Sequence, residues 1–262
     1  MRDGAASETA RRVAAHRLGC PREAVAYGRA GDDEALGRDV ALDVEIHEGR
    51  MHRYLCRRTA FFDRVVVRAL DDGVRQVVVV GAGYDGRAMR FARPDVRFFE
   101  VDHPATQGDK LARIERLGLS TAGIAFVAAD LTSDDVAERV LAAGLRTELA
   151  SLFVIEGVVS YLTEEVLATT LSALRAVAGT GSLLAVSVGL TRTNLVGAAR
   201  VAALRDAVAA MGEPMRNELT HDAFDTLLAA SSWRRAGGDG DDDGGGGGGG
   251  LLVAVPVPLP AP

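Results

Sequence analysis

Residues 76 to 87 read Q-V-V-V-V-G-A-G-Y-D-G-R. Val77, Val78, Val79 and Val80 are β-branched and apolar on both faces of a strand, the pattern of a strand buried in the middle of a parallel sheet. The strand stops at Gly81, and Gly81, Gly83 and Gly86 follow at G-x-G-x-x-G spacing. Glycines here let the backbone turn tightly and approach a ligand with no Cβ in the way. Arg87 to Ala92 then reads as helix. Strand, glycine turn and helix together present bare N–H groups at a helix N-terminus, which suits a nucleotide-type ligand. The same glycines would also serve a turn kept for packing alone, so the rest of the chain must choose.

Working outward, V-R-F-F-E-V-D (Val96 to Asp102) is a second strand ending in acids. Glu100 and Asp102 lie about twenty residues past the glycines, where an acid can take two ribose hydroxyls. They share one strand face, and either can serve. His103 and Pro104 open a helix to about Leu117, with His103 readable as a solvent-facing turn residue. A third strand, Ile124 to Leu131, ends in Asp130, which can meet an adenine amino group or cap a helix near Ser133. A fourth, Ser151 to Gly157, ends in Glu156. Three successive strands finish in acids at the carboxyl edge, where open α/β sheets bind ligands.

Before the first strand, Ser7 to Leu18 has helical apolar spacing, with Ser7 as a cap and Arg17 near its end. From spacing alone Arg17 is a solvated charge. Gly19 to Asp43 reads as a loop with short helical pieces, and Ile46 to Leu70 as helix. After the fourth strand, Thr163 caps a helix running to about Ala178. Ser182 to Val188 is a fifth strand. Asn194 to Met211 and His221 to Ala230 are helices around a G-E-P turn, a natural place for a substrate lid. Gly237 to Gly250 is nearly all glycine and aspartate, which cannot pack a core and should be flexible. The apolar run from Leu251, broken by prolines, reads as one last edge strand.

The chain has 262 residues, a net charge of -6 and 48% hydrophobic residues, enough for a single sizeable domain. An acidic balance disfavours nucleic acid as a partner. Cys20 and Cys56 show neither C-x-x-C spacing nor a metal-ligand pattern, and two cysteines make no disulfide framework; the expectation is a reducing cytoplasm. The first twelve residues have no apolar signal core, and no run approaches the ~20 apolar residues of a membrane span.

Several of these stretches occur together in one known family. R-T-x-F-F-D at Arg58 to Asp63, G-A-G-Y-D-G-R at Gly81 to Arg87, E-V-D-H-P at Glu100 to Pro104 with Lys110 following, A-D-L at Ala129 to Leu131 and E-G-V-V-S-Y-L at Glu156 to Leu162 resemble the leucine carboxyl methyltransferase-like O-methyltransferases. The resemblance covers roughly Ser7 to Val188. It implies an α/β fold of the class I methyltransferase (Rossmann-like) type: a mostly parallel sheet, extra N-terminal helices and a helical lid insertion. On that reading the domain divides into a helical cover (1–72), a cofactor core (73–190), a lid (191–236), a glycine tail (237–250) and an edge strand (251–262).

The implied cofactor is S-adenosyl-L-methionine. By the same resemblance Arg58, joined by Arg17, contacts the methionine carboxylate, while Gly81 and Gly83 let the cofactor approach. Asp102 holds the ribose, Asp130 and Leu131 the adenine, and Glu156 the methionine amino group. Tyr161 begins the substrate side. The implied acceptor is a carboxylate on a small, polyketide-like acid; no membrane partner is expected, and a homodimer is. Gly86 stands where the family has Thr or Ser, and the glycine tail replaces a more regular final hairpin.

A carboxylate acceptor titrates near ~4 and needs no base at neutral pH, whereas a phenol near ~10 does. His47, His52 and His221 are the candidate bases, each equally readable as structural. Arg192 is a candidate second contact to the acceptor, or a solvated charge. The rival reading is an NAD(P)-dependent oxidoreductase, since the glycine spacing fits a dinucleotide fingerprint. Against it, Tyr161 is followed by Glu165 rather than by the lysine of a Y-x-x-x-K pair. A non-catalytic cofactor-binding protein is the third reading.

Overall fold

The protein is described by a computed structural model covering residues 4–47, 49–189, 195–217, 219–236 and 249–257, with backbone only at 195–201 and 249. Three helices come first: α1 (Glu8–Leu18), α2 (Ala30–Val40) and α3 (Arg50–Asp71). Strands and helices then alternate: β1 (Gln76–Val80), α4 (Arg87–Arg90), β2 (Arg97–Asp102), α5 (Pro104–Leu117), β3 (Ile124–Ala128), α6 (Val136–Ala142), β4 (Ser151–Ile155), α7 (Glu164–Ala176) and β5 (Leu183–Gly189). Two helices, α8 (Leu195–Ala210) and α9 (His221–Ala230), precede β6 (Trp233–Arg235) and β7 (Gly249–Pro256).

Among the described residues the strands form one sheet in the order β3-β2-β1-β4-β5-β7-β6. Pairing is parallel from β3 to β5, and β7 runs antiparallel to both β5 and β6. This is the mostly parallel α/β sheet expected from the valine run. Every residue of β1 is buried, because parallel strands carry helices on both faces. Val78 and Val80 face one core with Leu167, Leu171 and Trp233, while Val77 and Val79 face the other with Phe62, Val66 and Leu70 of α3. The strand order reverses between β1 and β4, so a crevice opens beyond their carboxyl ends.

Local chemistry sets the helix starts. Ser7 Oγ accepts from Ala10 N at α1, and Thr163 Oγ1 accepts from Val166 N at α7, as the sequence predicts. On α3, Leu55, Phe62, Val66, Ala69 and Leu70 are buried at helical spacing, and they lay the helix on the sheet.

Several expectations are corrected. The stretch read as a loop, Gly19 to Asp43, contains the 11-residue α2, whose buried Leu36 and Val40 pack against Ala14 of α1. The helix after the glycine turn is one turn long. The helix near Ser133 begins at Val136 and is capped by Asp135, leaving Asp130 free of that duty. The last apolar run is not an edge strand: β7 lies between β5 and β6, its residues 251–254 are buried, and Pro256 sits only at its final pairing with Trp233. The closing hairpin is therefore present as β6 and β7. The glycine tail between them, residues 237–248, and Arg192 lie outside the described residues. Of the expected lid, α9 belongs to the core, since Phe224 and Leu228 are buried against the sheet cluster. Cys20 and Cys56 form a disulfide, with Cα atoms 4.9 Å apart across 36 residues of sequence, because the end of α1 packs on α3. No described helix is long and apolar enough to cross a membrane.

Candidate functional site

The turn after β1 is shaped by its glycines. Gly81 and Gly83 have φ of +67° and +51°, in the left-handed region that side chains resist. A Cβ on Gly81 would lie 2.2 Å from Val158 Cγ2, and one on Gly83 would lie 3.0 Å from Ala10 Cβ. The backbone here is thus pressed between the chain after β4 and the first turn of α1. Gly86 answers to a different demand: a Cβ there would lie 1.7 Å from Asp33 Oδ1. The departure from Thr or Ser at this position is matched by an acid on α2.

A cavity of about 270 Å³ opens over this turn. Arg17, Arg58, Gly81, Gly83, Asp102, Asp130, Leu131, Glu156 and Tyr161 all line it. The nine residues singled out from the sequence thus come together from α1, α3 and the chain following β1, β2, β3 and β4.

At one end, both oxygens of Asp102 are held by backbone: Oδ2 accepts from Gly83 N, and Oδ1 accepts from His103 N at 2.7 Å. Burial pushes the Asp102 carboxyl up, and those two N–H groups oppose the shift. Glu100, its alternative in the sequence, is buried away from the cavity in an ion pair with Lys110. His103 is more than a turn residue. Its Nδ1 accepts from Ala105 N to cap α5, and its ring borders the cavity 3.9 Å from Asp130 Oδ2. Asp130 also accepts from Thr132 N at 2.9 Å.

At the other end lies a buried array of charges. Glu156 Oε1 takes Arg17 Nη2 and Arg58 Nε, each at 2.9 Å, and Oε2 takes Arg87 Nη1 at 2.5 Å. Arg87 also reaches Asp85 and Asp63, Arg90 joins Asp63 at 2.7 Å and Asp33 at 3.4 Å, and Arg22 joins Asp33 at 2.6 Å. Burial alone would push Glu156 up, but the guanidiniums of Arg17, Arg87 and Arg58 hold it well below the usual carboxylate range. Five guanidiniums face four carboxylates in this array, an excess of one positive charge. The solvated-charge reading of Arg17 is thereby corrected. Its Nε is buried with no hydrogen-bond partner.

Tyr161 ends a short 3-10 turn, Val159–Tyr161, on the third side of the cavity. Burial raises the pKa of its hydroxyl, opposed by a hydrogen bond with Thr9 and reinforced by the nearby Glu213. Sequence reasoning missed Glu213 and Arg216, which also line the cavity. Glu213 accepts from Ser7 Oγ at 2.8 Å, Glu8 N at 2.7 Å, Thr9 N at 3.4 Å and the Thr9 hydroxyl, so it seals the start of α1. Arg216 N donates to Ser160 O at 2.7 Å, which fixes this segment beside Tyr161. The G-E-P turn was the only signal for either. Of the histidines weighed as bases, His47, His52 and His221 do not line the cavity.

Residues 13–175 match the leucine carboxyl methyltransferase family. A Parafrankia sp. protein, named provisionally as an S-adenosyl-L-methionine-dependent methyltransferase, is 37% identical over 145 residues, covering 52% of this chain and 44% of its own length. A Mycobacterium ulcerans protein of the same name is 32% identical over 176 residues, covering 66% of this chain and 55% of its own. The chain thus spans about half the length of the curated relatives it matches. In fold it is similar to a DUF574 family protein from Streptomyces avermitilis, with TM-score 0.64, 18% identity and coverage of 97% and 98% of the two chains. It is also similar to the magnesium protoporphyrin IX methyltransferase of Synechocystis, solved with bound SAH, with TM-score 0.54, 14% identity and coverage of 87% and 94%.

Proposed function

Because this chain belongs to the leucine carboxyl methyltransferase family, we propose that it is an S-adenosyl-L-methionine-dependent O-methyltransferase that esterifies a carboxylate on a small, largely apolar acid. The observation that carries the reading is the polarity of this cavity. An acid aimed by backbone stands at one end, and an arginine array with one surplus positive charge stands at the other.

The residues present fit the cofactor. Its zwitterionic amino acid end matches Arg17 and Arg58 beside Glu156, where the unpartnered Arg17 Nε offers a donor to a carboxylate. The acceptor oxygens of Asp102 suit two ribose hydroxyls. Asp130 and the Leu131 backbone would border the adenine, and the bare backbone of Gly81 and Gly83 leaves room between the two ends. When bound, the cofactor supplies an electrophilic methyl group on a sulfonium.

The acceptor side supports a carboxylate over a phenol. Tyr161, kept protonated by burial, can donate its O–H to one carboxylate oxygen and leave the other to react. Arg216 also lines the cavity, and a guanidinium pairs with carboxylates in bidentate fashion. Glu213 is spent on the four donors at the start of α1 and is poorly placed to take a proton. Among the described residues that line the cavity, His103 is the one histidine, and its Nδ1 is occupied at the Asp102 end. A carboxylate needs no base, so alignment and removal of water are left as the catalytic means.

Product analysis tests this. The protein, methyl-labelled cofactor and a panel of aromatic carboxylic acids and phenols should yield a labelled ester that releases methanol in mild alkali. A base-stable ether overturns the carboxyl assignment, and binding of NAD(P)H with no binding of S-adenosyl-L-methionine overturns the whole reading.

A further inference from the structure

The sequence carries the same four-residue spacing twice: His16 on the last turn of α1 with Cys20 just past its Gly19 cap, and His52 and Cys56 on α3. On α3, residues four apart share a face. The packing of α1 on α3 brings the end of α1 onto that face. Cys20 Sγ, Cys56 Sγ and a ring nitrogen of His52 all lie within 4.8 Å of one another. His52 Nε2 is 3.5 Å from Cys56 Sγ, and His16 Nδ1 is 3.1 Å from His52 Nδ1. A disulfide alone accounts for the two sulfurs and leaves two facing imidazoles without a role. Two thiolates and an imidazole are zinc ligands, and His16 meets the other nitrogen of His52, the place of a partner that orients a metal-bound histidine.

We propose that the dithiol form of this cluster is a zinc site, with Cys20, Cys56 and His52 as its ligands and His16 on the second ring nitrogen of His52. With Zn–S bonds of ~2.3 Å and Zn–N bonds of ~2.0–2.1 Å, the two sulfurs sit roughly 3.7 Å apart. The Sγ–Sγ bond must therefore open first. A dithiol or phosphine reductant supplies the two electrons and is itself oxidised, and the two sulfurs take up two protons. Zinc then displaces those two protons from the thiols and takes the neutral imidazole of His52. Disulfide and metal are thus exclusive states of one cluster. Each ties α1 to α3, the helices that carry Arg17 and Arg58 into the cavity. The site lies outside the cavity lining and does not depend on the methyltransferase reading.

The test is cobalt substitution. Full-length protein is reduced with a phosphine, freed of reductant under nitrogen and titrated with Co²⁺. One Co²⁺ per chain should bind with a thiolate-to-cobalt charge-transfer absorption that Zn²⁺ abolishes. The same protein left oxidised should show none, which serves as a control independent of any variant. His16→Ala and His52→Ala should each weaken the absorption or remove it. Two results overturn the proposal: no thiolate–cobalt absorption in the reduced protein, or an absorption indifferent to both histidine substitutions, which marks adventitious binding to two thiols.

Discussion

Arg58 and Glu156, 98 residues apart in sequence, meet through Nε and Oε1 at 2.9 Å with both side chains buried. The resemblance assigns them to different groups of one ligand; the structure bonds them to each other. Each is thereby held in position by the other. Arg58→Ala removes one of three guanidiniums from Glu156 and leaves Arg17 and Arg87 in place. Loss of a charge-assisted contact to the ligand costs ~1.5–3 kcal/mol, so cofactor affinity should fall ~10–100-fold. Calorimetry with the demethylated cofactor checks it, and unchanged affinity in a folded variant would remove Arg58 from the binding site.

The two acids of β2 should separate cleanly. Asp102→Asn keeps the shape of the side chain but removes the charge and sets an NH2 donor against one of the two backbone N–H groups, so affinity should drop ~10-fold or more, with some loss of stability. Glu100→Gln strands the buried Lys110 ammonium. Breaking such a pair costs ~3–5 kcal/mol, which should appear as a lower unfolding midpoint. Equal effects of the two substitutions on affinity would contradict this division.

Across pH 6 to 9 the rate should stay flat. The Tyr161 hydroxyl is raised above its ordinary value of ~10 and stays protonated throughout, and the acceptor carboxylate stays ionised. Tyr161→Phe should reduce the rate only modestly, whereas loss of an essential base costs ~100–10,000-fold. Arg216→Ala should raise KM for the acid more than it lowers kcat. A rate that climbs with pH through this window would point to a protein base.

Two glycines give opposite expectations. Gly86→Ala drives a methyl group to 1.7 Å from Asp33 Oδ1, within the Arg22 and Arg90 ion pairs. Overpacking of this kind costs ~1–3 kcal/mol. Gly108 lies inside α5, exposed, with nothing near its absent Cβ. There alanine should stabilise by ~0.5–1 kcal/mol. Thermal unfolding of both variants decides, and a neutral Gly86→Ala would show that the turn tolerates a side chain.

The sequence by itself determined the sheet and the polar ends of the site. Four valines without alternation can only be buried on both faces, and a strand end, a glycine turn and an acid are all local along the chain. For that reason Asp102, Asp130 and Glu156 could be named from their places at strand ends. Tertiary structure decided what local spacing does not carry. Arg17 reads as a solvated charge until α1 packs over the glycine turn and sets it on Glu156. Glu100 and Asp102 are equivalent on one strand face until α5 brings Lys110 to Glu100 alone. Glu213 has no motif, and its role exists only because a loop some two hundred residues away closes on the start of α1. The Cys20 and Cys56 pair, and the histidines beside it, are likewise made by two helices meeting. In each case the deciding partner is distant in sequence, and burial, which removes water as the alternative partner, makes the pairing matter.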